Sequence, residues 1–304
     1  MTEENNGNGT GNINGGTNLS IQPLSFDREK VLVVQCDTRL ELDFLGLSKK
    51  VNRQKCNYLN EFYLKIKRET HKYQYEYRFY HLCDSENENN GQHNVEYDDW
   101  NRYYAKTFVD LTNNNPASAK VFFINNLLKT FETKVKFIVF IDSDAWIQNP
   151  VHLHTIVQHL NATPHLHGAY SRDPYLIKNT FINSGVFILK VNEFTRQMYK
   201  EIVADYNAHP DDSRGWPYDQ RAISNAVHKY RDFFLIFKPD VLNTPNGKVL
   251  RHNWWKNLKM FQDLYDNLNT NIPFIIPEEL NIAGELDNAE YPNTTDDTSY
   301  NFIT

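Results

Sequence analysis

Cysteine is scarce in this sequence: Cys36, Cys56 and Cys83 are the only three in 304 residues. An odd number without metal-type spacing argues against a disulfide framework and leads us to expect a reducing compartment. No apolar run approaches the roughly 20 residues of a membrane-spanning helix, and the N-terminus lacks the apolar core of a signal peptide. A soluble, cytoplasmic protein is therefore expected, or a Golgi lumenal one if the chain has been clipped from a membrane anchor. An excess of positive charge is also missing. The formal charge is -6, with 38 acidic and 32 basic residues. Seven of the acids (Glu278, Glu279, Glu285, Asp287, Glu290, Asp296, Asp297) lie in 276–304, which has no Lys or Arg; without them 31 acids face 32 bases. A near-neutral body does not suggest a nucleic-acid groove. No internal repeat is visible.

Aromatic residues, by contrast, make up 14% of the chain, a share that suits a carbohydrate- or nucleotide-handling surface and a bulky core equally well. The stretch with the clearest meaning is Phe137-Ile138-Val139-Phe140-Ile141-Asp142-Ser143-Asp144-Ala145-Trp146-Ile147. Five consecutive apolar residues rich in β-branched and aromatic types predict a short strand buried on both faces, as in a parallel sheet covered by helices. The carboxyl ends of such strands face the ligand crevice, which would put Asp142 and Asp144 where a substrate docks. Two carboxylates one residue apart can converge on a hard divalent cation. A polar turn capping the following helix is the other reading of Asp-Ser-Asp.

Along the chain, 1–22 is rich in Asn, Gly and Thr and is expected to be disordered, 23–275 to form one domain, and 276–304 an acidic tail. Val31 to Val34 predict a first buried strand, ending at Gln35-Cys36-Asp37, with its carboxyl end beside that of the Asp142 strand. Helical spacing predicts a helix over 48–69, alternation a strand over 78–82, and composition a polar loop over 84–94. Asn115-Pro116 reads as a helix start. Helices are expected from Pro150 to Leu160, over 193–206 and from the Trp216-Pro217-Tyr218-Asp219-Gln220 segment. Strands are expected over 168–171, 186–189, 233–237 and 248–250. His152, His154, His159, His165 and His167 share no consistent ligand face and read as solvent-facing. Strands alternating with helices predict an α/β fold whose second half is less regular.

Four features then stand in order: Asp142-Ser143-Asp144-Ala145 with Asn149-Pro150, Asn183-Ser184-Gly185-Val186-Phe187, Asp219-Gln220, and a late His252. This order resembles nucleotide-sugar glycosyltransferases of the GT-A fold, most of all family 34, the galactosyl- and xylosyltransferases. The resemblance implies a Rossmann-like mixed sheet flanked by helices. It also implies transfer of galactose, xylose or glucose from a nucleoside diphosphate, UDP above all, to a glycan or glycoprotein acceptor, with retention of configuration.

A departing diphosphate develops negative charge and needs positive charge already in place. A divalent ion held by Asp142, Asp144 and His252 would supply it, and the imidazole favours Mn²⁺ over Mg²⁺. The resemblance places Asp219 and Gln220 at the sugar and the reacting carbon; a helix cap is the alternative for Asp219. On the donor side the candidates are Gln35, Asp37, Lys120, Ser143, Asn183, Ser184, Gly185 and Lys256. Gly185 would let the backbone approach the sugar closely, and Lys256 reads equally as a surface lysine. Trp216, Trp254 and Trp255 read as sugar-stacking or as packing residues. Two rivals stand beside this assignment. A haloacid-dehalogenase-type phosphohydrolase wants Thr or Val where the chain has Trp146, and a non-catalytic glycan- or nucleotide-binding relative would have no call for both aspartates and His252.

Overall fold

The computed structural model describes residues 31–37, 70, 75–83, 100–104, 116–174, 180–214 and 217–252. The expected disordered N-terminus, the helix over 48–69, the loop over 84–94 and the acidic tail lie outside the described residues. So do Trp216, Trp254, Trp255 and Lys256.

The strands are β1 (Val31–Asp37), β2 (Glu76–Cys83), β3 (Trp100–Tyr104), β4 (Phe137–Ile141), β5 (Ala145–Ile147), β6 (Gly168–Arg172), β7 (Ile182–Lys190), β8 (Phe234–Phe237) and β9 (Leu250–His252). The helices are α1 (Pro116–Thr130), α2 (Pro150–Ala162), α3 (Glu193–Ala208), α4 (Asp219–Lys229) and the single turn α5 (Pro239–Leu242). Seven strands form one sheet in the order β3-β2-β1-β4-β7-β6-β8, and β5 pairs with β9 separately. Along that sheet β7 alone runs antiparallel to its neighbours, β4 and β6. The chain thus adopts the mixed α/β architecture that its pattern predicts.

Every side chain of β4 is fully buried because the sheet is covered on both faces. Alternate residues belong to different cores. Phe137, Val139 and Ile141 join Val31, Val33, Val186 and Ile188 under α2 and α5, with Trp146 and Leu250 of the small sheet. Ile138 and Phe140 join Leu32, Val34, Phe187 and Leu189 under α1, α3 and α4. On this face Phe140 stacks on Phe187, centroids 5.0 Å apart. Each large apolar side chain so buried contributes roughly 1.5–3 kcal/mol.

Caps fix the helix starts near the site. Asn149 accepts a bond from the His152 amide at 3.2 Å, and Pro150 opens α2. The Asp-Ser-Asp turn therefore caps no helix. It closes with Ala145 N donating to Asp142 O at 2.9 Å and delivers the chain into β5, a strand not expected from the sequence. The last strand, expected over 248–250, runs over Leu250–His252 instead, in register with Ala145, Trp146 and Ile147. The turn before it is closed by Gly247 N donating to Thr244 O, at 2.9 Å. A side chain at Gly247 would meet the Leu250 carbonyl at 1.8 Å.

Candidate metal centre and its surroundings

The carboxyl end of β4 and the start of β7 meet because those two strands are antiparallel. Ile141 pairs with Val186, and Asp142 N donates to Gly185 O at 2.7 Å. The pairing of β5 with β9 sets Ala145 opposite His252. These two pairings bring together side chains far apart in sequence. His252 Nε2 lies 3.0 Å from Asp144 Oδ1 and 3.6 Å from Asp142 Oδ2. One ligand atom from each of the three residues lies within 4.8 Å of the others. Ligand atoms adjacent on an octahedral ion at about 2.1 Å stand about 3 Å apart, so the cluster fits a divalent cation.

Charge supports the same fit. Lys120 of α1 is buried, 3.1 Å from Asp142 Oδ1 and 3.1 Å from Asp219 Oδ2, and it donates to Ser184 O at 3.0 Å. Its position over Phe140, 5.4 Å from the ring centroid, adds a cation–π contact. With the imidazole neutral, Asp142, Asp144 and Asp219 against Lys120 leave two negative charges beside the cluster for a dication to cancel. Burial pushes the Asp142 carboxyl up, to about 6, against the pull of Lys120 and His252. Burial opposes the charge on Lys120 as well, but Asp142 and Asp219 outweigh it and raise its pKa. For His252 burial pulls down, and the neighbouring Asp144 and Asp142 carry the net shift upward. Each cationic form is held by the carboxylates around it.

Gly185 is required here by a neighbour inside the protein. A Cβ at this position would lie 2.2 Å from His252 Cε1 and 2.9 Å from Asp142 Oδ2. Within the protein it is the imidazole that approaches Gly185 closely. Asn183 Oδ1 accepts from Gly185 N at 3.0 Å, folding the segment back on itself. Ser184 and Ser143 are both buried beside the aspartates.

Gln35, expected at the donor phosphates, is used within the protein. Its Nε2 donates to Asp142 O at 3.0 Å and Ala145 O at 3.4 Å, and its Oε1 accepts from Tyr77 at 2.7 Å. Its carboxamide therefore clamps the metal-side turn. Lys120 is likewise engaged by the carboxylates. Asp37 ends β1, where only its backbone is described.

Asp219 and Gln220 open α4 after a strained step. Tyr218 has φ 50° and ψ -127°, a conformation costing a non-glycine residue on the order of 1–3 kcal/mol. Gln220 N closes the turn onto Pro217 O at 3.0 Å. Asp219 faces Lys120, while Gln220 Nε2 donates to Asp173 Oδ2 at 2.6 Å. Asn183 Nδ2 reaches the same oxygen at 3.3 Å. Asp173 is thus a buried member of the site absent from the sequence-based candidates. It follows β6 directly, and the rule that drew attention to Asp142, an acid just beyond a buried strand's carboxyl end, would have found it. Asn243, also buried, accepts from His252 Nδ1 at 2.7 Å, and no sequence signal marks it.

No protein-family model and no curated protein matches the sequence. Among solved structures, one similar chain is a glycosyltransferase involved in the glycosylation of the major capsid of PBCV-1. It is 13% identical, with 78% of this chain and 98% of that one covered, at a TM-score of 0.46. Another is the galactosyltransferase LgtC in complex with donor and acceptor sugar analogs, 13% identical, covering 82% and 98%, at 0.45. An active-site mutant of LgtC scores 0.44 at 12% identity. No helix among the described residues is long and apolar enough to cross a membrane.

Proposed function

We propose that the chain is a metal-dependent glycosyltransferase of the GT-A type, related to family 34. It would move galactose, xylose or glucose from a nucleoside diphosphate, UDP above all, to a glycan or glycoprotein acceptor. The observation that carries this reading is the convergence of His252 on Asp142 and Asp144 at the carboxyl edge of the sheet. An oxygen-oxygen-imidazole set accepts Mn²⁺ readily and Mg²⁺ less so. The bound ion would act as a Lewis acid, neutralising the charge that develops on the departing diphosphate.

The chain's own groups do the rest. Asp142, Asp144 and His252 would hold the ion, and Gln35 and Lys120 keep Asp142 in place. Gln220, held with Asn183 on one oxygen of Asp173, would offer its Oε1 to the sugar, and Asp219 would stand by Lys120 near the reacting carbon. Lys256 would approach the diphosphate. Retention would follow from attack on the face that the leaving group vacates, with a diphosphate oxygen taking the acceptor's proton. A dehalogenase-type phosphohydrolase would leave the imidazole beside the aspartates without a task.

A panel of nucleotide sugars with Mn²⁺, read as nucleotide release, names the donor. Asp142→Ala, Asp144→Ala and His252→Ala are each expected to abolish metal-dependent release in a chain of unchanged circular dichroism. Full activity in any of them sinks the proposal.

A further inference from the structure

Asn243, at the end of α5, is 1% exposed and makes hydrogen bonds that settle which way its amide points. Its Nδ2 donates to Asn183 O at 3.0 Å and Val186 O at 3.3 Å, both on β7. Carbonyls only accept, so the amide nitrogen must face β7 and Oδ1 must face away from it. That oxygen lies 2.7 Å from His252 Nδ1, which must therefore carry a hydrogen. An imidazole donating from Nδ1 directs Nε2 at the two aspartates, where a cation would sit. The other side of the ring is bounded by Gly185, where a Cβ would stand 2.3 Å from Nδ1.

We propose that Asn243 is the positioning residue of this centre: it fixes the rotation and the protonated nitrogen of His252 by transferring the backbone geometry of β7 to the ring. The proposal rests on the metal-dependent reading above and adds the residue that orients the ligand. Outer partners of metal-bound histidines act in this way, and their loss typically weakens metal binding about 10–100-fold. Asn243 also ties the ligand to Asn183, so the metal side and the proposed sugar side share one hydrogen-bonded frame.

The test uses the full chain and two readouts. Mn²⁺ binding is measured by calorimetry for wild type, Asn243→Ala and Asn243→Asp. The Nδ1–H of His252 is followed by nitrogen-15 NMR in metal-free protein. Asn243→Ala should bind Mn²⁺ about 10–100-fold more weakly and lose the exchange-protected Nδ1–H seen in wild type. Asn243→Asp still offers Nδ1 an acceptor but loses the donor to the Asn183 and Val186 carbonyls, so it should keep the Nδ1–H resonance and bind Mn²⁺ with an affinity between those of wild type and Asn243→Ala. Equal affinity of wild type and Asn243→Ala, equal weakness of the two variants, or an unprotected Nδ1–H in wild type overturns the proposal. If Asn243→Ala does not fold, Asn243→Asp and the wild-type resonance decide. A wild type that binds no divalent ion refutes the metal reading separately, and the resonance still judges the hold of Asn243 on the ring.

Discussion

The smallest change with a large expected effect is a single methyl group at Gly185. In Gly185→Ala the new carbon would overlap the His252 ring, which must then rotate or retreat. A ten- to hundredfold loss of Mn²⁺ affinity is expected, by analogy with losing a ligand's orientation, roughly; calorimetry checks it. Lys120→Met acts through charge. It leaves Asp142 and Asp219 facing one another across a buried site without their shared cation. Breaking a buried ion pair from one side costs about 3–5 kcal/mol, which denaturant unfolding without metal would register. Asp142 and Asp144 were legible because acids rarely follow a five-residue buried strand without a function. Gln35 and Asp173 stand at strand ends where the same rule points, but their partners, and Asn243 altogether, were not legible, because a polar residue's partner is invisible until the chain folds.

At the scale of elements, the decisive unit is the short β5–β9 pair. Nothing in Ala145-Trp146-Ile147 announces a strand; its three residues become one by finding Leu250-Arg251-His252. Ile147 and Leu250 face each other there, both fully buried. Ile147→Ala and Leu250→Ala should each cost about 2–5 kcal/mol, and the double variant less than their sum, because the two share one cavity. Each should also weaken Mn²⁺ binding, since the pair carries His252 to the aspartates. Unfolding curves and metal titrations of the three variants test both statements, and intact affinity in a destabilised variant would detach the site from this pair. By contrast β4, α2 and α3 were readable from periodicity and caps, because their burial patterns repeat locally. α4 starts at Asp219, inside the expected segment, directly after Tyr218 turns the backbone through positive φ.

For the molecule as a whole, metal and stability should be linked. An ion that binds the assembled centre and not the unfolded chain stabilises by about 2.7 kcal/mol at a hundred times its Kd. Saturating Mn²⁺ should therefore raise the unfolding free energy of wild type by roughly that amount and leave Asp144→Ala unmoved; thermal or urea unfolding with and without the ion measures it. The linkage arises because the ligands come from distant parts of the chain: His252 and Asp144 are 108 residues apart. By itself, the order of residues determined the covered sheet, most of its strands and helices and the acids at its edge, since hydrophobic periodicity and capping act over a few residues. Only the tertiary structure decided which polar groups meet: that β7 runs antiparallel to β4, that β9 finds β5, and that Gln35, Asp173 and Asn243 lock the result. Such meetings depend on strand order and register, which no local stretch of sequence encodes.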